Sequence, residues 1–403
     1  MWLLIPLRNL ARNRRRTLLS GSVVGLGTAV ALLVLGFVEQ SRELIQQSTV
    51  QQFGNLQIGA ESLWAGTVEG YDYLMGPKQL EGLRQVVEGQ PGVVATSAQL
   101  SFPGLLTVGR STKVVQATGV VPENSVSGYD ESVIDGRPLQ AGDQGSVLVG
   151  RALAEELDLA PGVYLNFTVT TVDGAFNVAP MRVVGVYRFT SAEVERRQVF
   201  VPLSFGQRLL DTDGADRLVV RLADLSLTAR VAGAVERQLQ GAESSLEVRT
   251  WDELSPFYRQ LSGFFDILFG FLVLAVLVLV FFILLQVLTL AFLERTREVG
   301  TVRALGTKRG QVFRMFLVES TALGVVGAGA GLGVGWLLGL AFNAASLPWQ
   351  PPGTVEPVSL GVKLSGTTLG IPFAASVLAT AISGILPAVQ STRIRVADAL
   401  RSR

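Results

Sequence analysis

The chain contains no histidine and no cysteine. Thiol catalysis, disulfides, Ser-His-Asp hydrolysis and any His- or Cys-ligated metal centre are therefore excluded. Glu155 and Glu156 are neighbouring carboxylates, but consecutive helix positions diverge and cannot face one substrate. Residues Gly104–Ser111 read GLLTVGRS. The spacing is that of a phosphate loop, yet Arg110 stands where such a loop needs Lys, and no strand-to-helix context surrounds it. No catalytic residue, cofactor or metal is expected on this chain. The segment richest in chemistry is instead a docking surface. Glu294–Arg314 reads ERTREVGTVRALGTKRGQVFR. Val299, Val302 and Leu305, with Ala304, give a short helix an apolar ridge, and Glu294, Arg295, Arg297, Glu298 and Arg303 surround it with charge. Gly306–Thr307 ends the turn, and Gln311–Val312–Phe313 begins the next helix. A short charged helix with one apolar ridge suits a groove on a soluble partner.

The elements that present this segment are membrane spans. Of 403 residues, 48% are hydrophobic and 17% charged, against about a quarter charged in a soluble domain. Thr17–Val38 is free of charge. At about 1.5 Å per residue it is long enough to cross a hydrocarbon core of about 30 Å. Further charge-free runs cover Ile267–Leu293, Ser320–Asn343 and part of Leu364–Thr392. Basic residues cluster before the first span (Arg8, Arg12, Arg14, Arg15, Arg16), between spans two and three, and in the tail (Arg393, Arg395, Arg401, Arg403). Four spans put all three clusters on one side, which the positive-inside rule makes cytoplasmic. The expected segments are 1–16 cytoplasmic, 17–38 first span, 39–266 periplasmic, 267–293 second span, 294–315 coupling loop, 316–342 third span, 343–366 periplasmic loop, 367–389 fourth span and 390–403 cytoplasmic tail. The first span has a basic flank, but its apolar core is long and no small-x-small cleavage site follows that core before Glu39, so it reads as retained. Trp2–Asn13 reads as an interfacial amphipathic helix or as a basic flank.

Gln40–Gly263 carries 18 basic and 26 acidic side chains, leaving 16 basic and 7 acidic elsewhere. The large segment is thus acidic and soluble in character, with no basic patch calling for nucleic acid. It reads as mixed α/β. Leu56–Ile58, Val114–Val121, Val163–Val172 and Met181–Tyr187 have strand patterning. Pro77–Glu88, Arg151–Leu157 and Ser226–Leu239 have helical spacing, with Pro77 suited to a first turn. Glu39–Gln52 continues the first span, and Thr250–Phe265 leads into the second with one Pro256. Two stalk helices that transmit movement are expected there. In the third span, Gly327, Gly331, Gly335 and Gly339 fall four residues apart. Such a flat stripe calls for close backbone approach by span four, span one or another subunit.

Leu293–Ser320, LERTREVGTVRALGTKRGQVFRMFLVES, resembles the signature of FtsX-like permease domains, and LPAVQSTRIRVADALR (Leu386–Arg401) resembles their ending. SVLVGRALAEELDL, MRVVGVYRFTSAEVERRQVFVPL and Trp251–Leu254 resemble the outer domain of the MacB/LolCDE group of ABC systems, the type VII or mechanotransmission transporters. LRNLARNRRRTLLSGSVVGLG and GNLQIGA are similar to lipoprotein-releasing permeases of the LolC/LolE kind. MacB proteins carry an ATPase on the same chain, and this sequence shows none.

The resemblance implies four transmembrane helices plus a periplasmic domain made of a MacB-like porter and an inserted β-rich part, roughly Tyr129–Arg197. It implies a second permease subunit, identical or homologous, in the lipid bilayer of a bacterial inner membrane. It also implies a cytoplasmic ABC ATPase dimer that holds the ATP and Mg. Residues 294–306 would then be the coupling helix, with Glu294, Arg295, Glu298, Val299, Arg303, Ala304, Leu305 and Gly306 at the contact. The leading expectation is release of lipoproteins to a periplasmic acceptor. Acyl chains would lie in a cleft lined by Leu32, Leu33, Leu35, Phe37, Leu261, Phe264, Phe265 and Leu268. MacB-like efflux with a periplasmic adaptor, or FtsX-like signalling to a cell-wall hydrolase, are the alternatives.

Overall fold

The computed structural model describes residues 14–65, 70–122, 126, 128–189, 192–239, 245–294, 296–349 and 358–393. Trp2–Asn13 and most of the basic tail lie outside the described residues. The chain divides into a helical unit (Met1–Glu43, Leu261–Trp349, Ser359–Arg403) and an α/β unit (Leu44–Gln260, Gln350–Val358).

In chain order the helices are α1 (Arg14–Phe53), α2 (Glu61–Ala65), α3 (Pro77–Glu88), α4 (Arg151–Leu157), α5 (Ala192–Arg197), α6 (Leu203–Leu210), α7 (Thr228–Leu239), α8 (Trp251–Leu254), α9 (Pro256–Glu294), α10 (Thr296–Ala304), α11 (Arg309–Ala345) and α12 (Gly366–Arg393). The main strands are β1 (Leu56–Ala60), β2 (Val93–Val108), β3 (Ser111–Val120), β4 (Val133–Gly136), β5 (Ser146–Gly150), β6 (Tyr164–Thr170), β7 (Phe176–Tyr187), β8 (Gln198–Pro202), β9 (Arg217–Leu222) and β10 (Leu246–Thr250).

Among the described residues, α1, α9, α11 and α12 are the helices long and apolar enough to cross a membrane. Many of their Leu, Val, Ile and Phe side chains face outward, including Leu18, Leu26, Phe271, Leu279, Phe282, Leu337 and Ile382. Such a surface is a liability in water and suits a lipid environment. The first span is the most enclosed: 44% of its apolar window is buried, against 11% for α9. The stretch Thr250–Phe265, expected to lead into the second span with one Pro256, is two helices. Glu253 accepts from the Thr250 N–H at 2.9 Å and caps α8, and α9 starts afresh at Pro256. Proline lacks the N–H needed inside a helix and disfavours helical backbone at the residue before it.

The α/β unit has two layers of strands joined by one. The order β10-β1-β9-β2 is antiparallel throughout, and α3 and α7 pack on it through Leu83, Val87, Val231 and Val235. Strand β2 then continues. Residues Val93–Gln99 pair with β9, and Leu100–Val108 pair with β3. From there the ladders run β2–β3–β8–β5–β7–β6 and return to β2, closing a six-stranded barrel. Phe102, Leu106, Val149, Phe167, Met181 and Val199 fill it. Burying each such side chain stabilises by about 1.5–3 kcal/mol. A Cβ on Gly104 would lie 2.3 Å from Phe167 Cζ, so this glycine serves packing, within the β2–β3 hairpin that GLLTVGRS forms. The β-rich part therefore starts at Leu100 and ends at Pro202, wider than Tyr129–Arg197. Its first two strands are a hairpin continuous with the β10-β1-β9-β2 sheet, which composition alone does not separate.

Where β2 passes between layers, Asp216 is fully buried. Its carboxylate accepts from the Ser101 N–H at 3.1 Å and from both Nε and Nη2 of Arg217 at 3.1 and 2.7 Å. Burial and the nearby Asp216 push the Tyr73 hydroxyl up to about 12. A buried charge paired and hydrogen-bonded in this way escapes the large cost of isolated burial.

Candidate functional site

The segment expected to couple to a partner is short and held on one side. Helix α10 ends at Ala304; the Leu305 N–H donates to Thr301 O at 3.1 Å, and the Gly306 N–H to Arg303 O at 3.0 Å. Gly306 has φ +96°, a conformation open to glycine at little cost, and it stops the helix. The Gln311 side chain accepts from the Lys308 N–H at 3.0 Å, so α11 begins at Arg309.

Val299 is buried against Val312 and Phe316 of α11. The expected ridge is therefore divided: Val299 anchors α10 to the membrane helix, and Leu305 stands 83% exposed. The apolar first turns of α11 compete for the inward face of α10, which a reading of the loop by itself omits. Glu294, Ala304 and Gly306 are also exposed and Arg303 is half-buried. Arg295 and the side chain of Glu298 lie outside the described residues.

The glycine stripe meets the first span. A Cβ on Gly331 would lie 2.2 Å from the Gly25 carbonyl oxygen, on Gly327 2.9 Å from Val24 Cβ, and on Gly335 3.1 Å from Ala29 Cα. Gly339 faces Leu364 instead, at 3.1 Å. Backbones in such contact gain dispersion and need no large side chains, which is how helices associate in lipid. Hydroxyls extend the seam: Thr28 Oγ1 lies 2.8 Å from Ser376 Oγ, and Ser376, Thr380, Ser383 and Ser320 are buried. Sequence reasoning missed this polar seam and the buried Glu319 beside it. The signal was present as an i, i+4, i+7 hydroxyl row in α12 and a lone acid at the start of an apolar run.

The residues expected to line an acyl cleft differ in exposure. Leu32 is fully buried and offers no surface to a substrate, because it faces the helix interior of the unit. Leu33, Leu35, Phe37, Leu261 and Phe265 are half-buried, and Phe264 and Leu268 are exposed. Phe37 meets Phe269 edge-on at 6.1 Å, and Phe269 meets Phe265 at 5.7 Å. Phe269, which the sequence reading did not single out, is thus the centre of this aromatic group.

In the α/β unit several ionisable groups sit in ion pairs or backbone hydrogen bonds. Glu155 pairs with Arg151 at 2.7 Å, and Glu156 pairs with Lys113. The buried Glu195 carboxylate accepts from the N–H groups of Phe189 (2.7 Å) and Ala152 (3.1 Å), and burial pushes it above the usual carboxylate range. No cluster of three or more metal-ligating side chains occurs among the described residues.

Residues 17–238 match the MacB-like periplasmic core domain, and residues 270–396 match the FtsX-like permease C-terminal domain. The chain is 22% identical to an uncharacterized ABC transporter permease, YknZ, of Bacillus subtilis, over 98% of both chains. It is 21% identical to the macrolide export ATP-binding/permease protein MacB 2 of Aeromonas hydrophila, over 98% of this chain and 60% of that protein. It therefore spans less than two thirds of that relative. The crystal structure of the extracellular domain of the noncanonic ABC-type transporter YknZ from Gram-positive bacteria is similar at 16% identity and TM-score 0.35, covering 49% of this chain and 100% of that one. With four apolar helices, a porter-and-barrel domain and both domain matches in register, this chain belongs to the MacB/FtsX-type family of ABC transporter permeases.

Proposed function

We propose that this chain is the inner-membrane permease of a lipoprotein-releasing system, driven by a separate cytoplasmic ATPase dimer. The observation that carries the reading is the exposed apolar face of α9, with Phe264 and Leu268 beside the Phe37–Phe269–Phe265 group. A hydrocarbon-lined face on a membrane helix suits acyl chains, which gain about 0.8 kcal/mol per buried CH2. ATP would be bound on the partner chain, and the exposed Leu305 tip with Glu294 and Arg303 would seat in its groove. Both termini would lie in the cytoplasm and the α/β unit in the periplasm.

MacB-like efflux is the second reading, supported by the macrolide export relatives that align along nearly the whole chain. The two part in one assay. The permease is reconstituted with its ATPase in proteoliposomes and offered a triacylated lipoprotein, the same polypeptide without acyl chains, and a hydrophobic macrocycle. Release reads as ATP-dependent transfer of the acylated form alone to a soluble acceptor. Turnover stimulated by the macrocycle and indifferent to acylation would replace this reading with efflux.

A further inference from the structure

The connection between α11 and α12 is tied back onto α1. Asn343, near the end of α11, accepts from the Val362 N–H through Oδ1 at 2.7 Å and donates from Nδ2 to the Val362 carbonyl at 3.0 Å. One side-chain amide thus satisfies both backbone groups of a single residue, which fixes that residue strongly. The Leu360 N–H donates to Leu347 O at 2.9 Å, and the Thr368 hydroxyl donates to Lys363 O at 2.9 Å. Val362, held in this way, is buried against Gly36 of α1. A Cβ on Gly36 would lie 2.5 Å from Val362 Cγ1 and 2.9 Å from Lys363 O. The Lys363 N–H donates to Gly36 O at 2.9 Å, and its ammonium lies 2.9 Å from Glu43 and 4.0 Å from Glu39. Gly361 stands beside Gln40. Gly36, Glu39, Gln40 and Glu43 follow i, i+3, i+4, i+7 spacing, one stripe of a helix.

We propose that residues 359–365 are a clasp that binds α1 to α11 and α12, so that these three helices move as one body and motion within the helical unit falls between α1 and α9. At mid-span α1 meets α11 backbone to backbone at Gly25–Gly331 and α12 through the Thr28–Ser376 hydrogen bond, whereas it meets α9 through apolar side chains, at Gly27–Val280, in the Val24–Val280–Leu284 cluster and at Phe37–Phe269, contacts that carry no directional bond. At the clasp end, α9 is tied to α1 by the Arg42–Asp266 ion pair, both of whose side chains are substantially exposed. Exposed pairs stabilise weakly and are screened by salt. Helix α9 is also the least enclosed of the four spans.

The nucleotide-driven motion rests on the transporter reading above; the clasp itself does not. Because this chain has no cysteine, no thiol of its own competes with the introduced pairs. One pair, Gln40→Cys with Gly361→Cys, bridges the clasp, where a Cβ on Gly361 lies 3.2 Å from Gln40 Cγ. The other, Arg42→Cys with Asp266→Cys, bridges α1 and α9. Both are treated with a short bifunctional thiol reagent in membranes containing the full complex. The clasp pair crosslinks essentially completely and leaves ATP turnover unchanged, whereas the α1–α9 pair crosslinks and arrests turnover. Adding Asn343→Ala lowers the crosslinking yield of the clasp pair. Failure of the clasp pair to crosslink while the other does, arrest by the clasp crosslink, or full turnover with α1 and α9 joined would each overturn the proposal. A complex without ATP turnover before crosslinking counts against the transporter reading, and the crosslinking yield then decides the clasp alone.

Discussion

Replacing Gly331 by alanine tests the contact between α1 and α11 with a single methyl group. Its carbon would lie 2.2 Å from the Gly25 carbonyl oxygen and 2.6 Å from Gly25 Cα, where ordinary contacts begin at 3.4 Å. The obstructing atoms are backbone, so no rotamer change relieves the clash, and the helices must separate locally by roughly 1 Å. A gap of that size forfeits about a quarter to a half of each dispersion well along the seam. Overpacking of this kind costs about 1–3 kcal/mol. Alanine returns about 0.5–1 kcal/mol through lower helix entropy loss. The net expectation is destabilisation of about 1–2 kcal/mol. Gly333 provides the control, since a Cβ there meets nothing within 4 Å. Gly333→Ala should stabilise by about 0.5–1 kcal/mol. The two variants then differ by about 2 kcal/mol, more than a tenfold change in the unfolding equilibrium. Reversible unfolding in mixed micelles, followed by circular dichroism, measures both. Equal stability of Gly331→Ala and Gly333→Ala would mean that α1 and α11 do not meet through this stripe.

Gly104→Ala should destabilise the α/β unit by about 1–3 kcal/mol, because Phe167 fills the space of the new methyl group; the loss would show as earlier proteolysis on heating the full chain. Burial holds the Glu195 carboxyl above its ordinary range, so the folded state prefers the protonated form, and this group's contribution to stability rises as pH falls through its raised value and declines again above it. Glu195→Gln should flatten that pH dependence in melting temperature, while leaving one of two N–H groups without its acceptor. Leu305→Asp should abolish stimulated ATP turnover without lowering the melting temperature, whereas Val299→Ala should lower the melting temperature, since Leu305 is exposed and Val299 packs on α11. Both variants are read in the same micelles, and an unaltered turnover with Leu305→Asp would remove this tip from the partner contact.

The four spans were legible because apolar runs of that length have few other physical explanations. Pro77–Glu88 and Arg151–Leu157 were legible to the residue, each bounded by a proline or glycine signal. Strands β5, β8 and β9 were not singled out as strands. They are short apolar runs buried on both faces, such as Ser146–Gly150, and show no alternation to separate strand from helix. Closure of the barrel was also hidden, because the β2–β6 ladder joins residues about sixty positions apart. The glycine stripe announced a close neighbour, and α1 carries small residues at the same four-residue spacing, Gly21, Gly25 and Ala29, a match that the reading of the sequence left among three possible partners. The apolar ridge of α10 was half legible: the pattern of Val299, Val302 and Leu305 gives helical spacing and says nothing of which side α11 occupies.

Strand β2 has a mechanical consequence for the α/β unit. Its first half is hydrogen-bonded to β9 and its second half to β3, along one unbroken backbone. Tension along that backbone strains both ladders in shear, so many bonds must yield together, whereas a pull across the strand would unzip them one by one. Porter and barrel share this strand, and a cut that excises the barrel strips the porter of an edge it cannot replace.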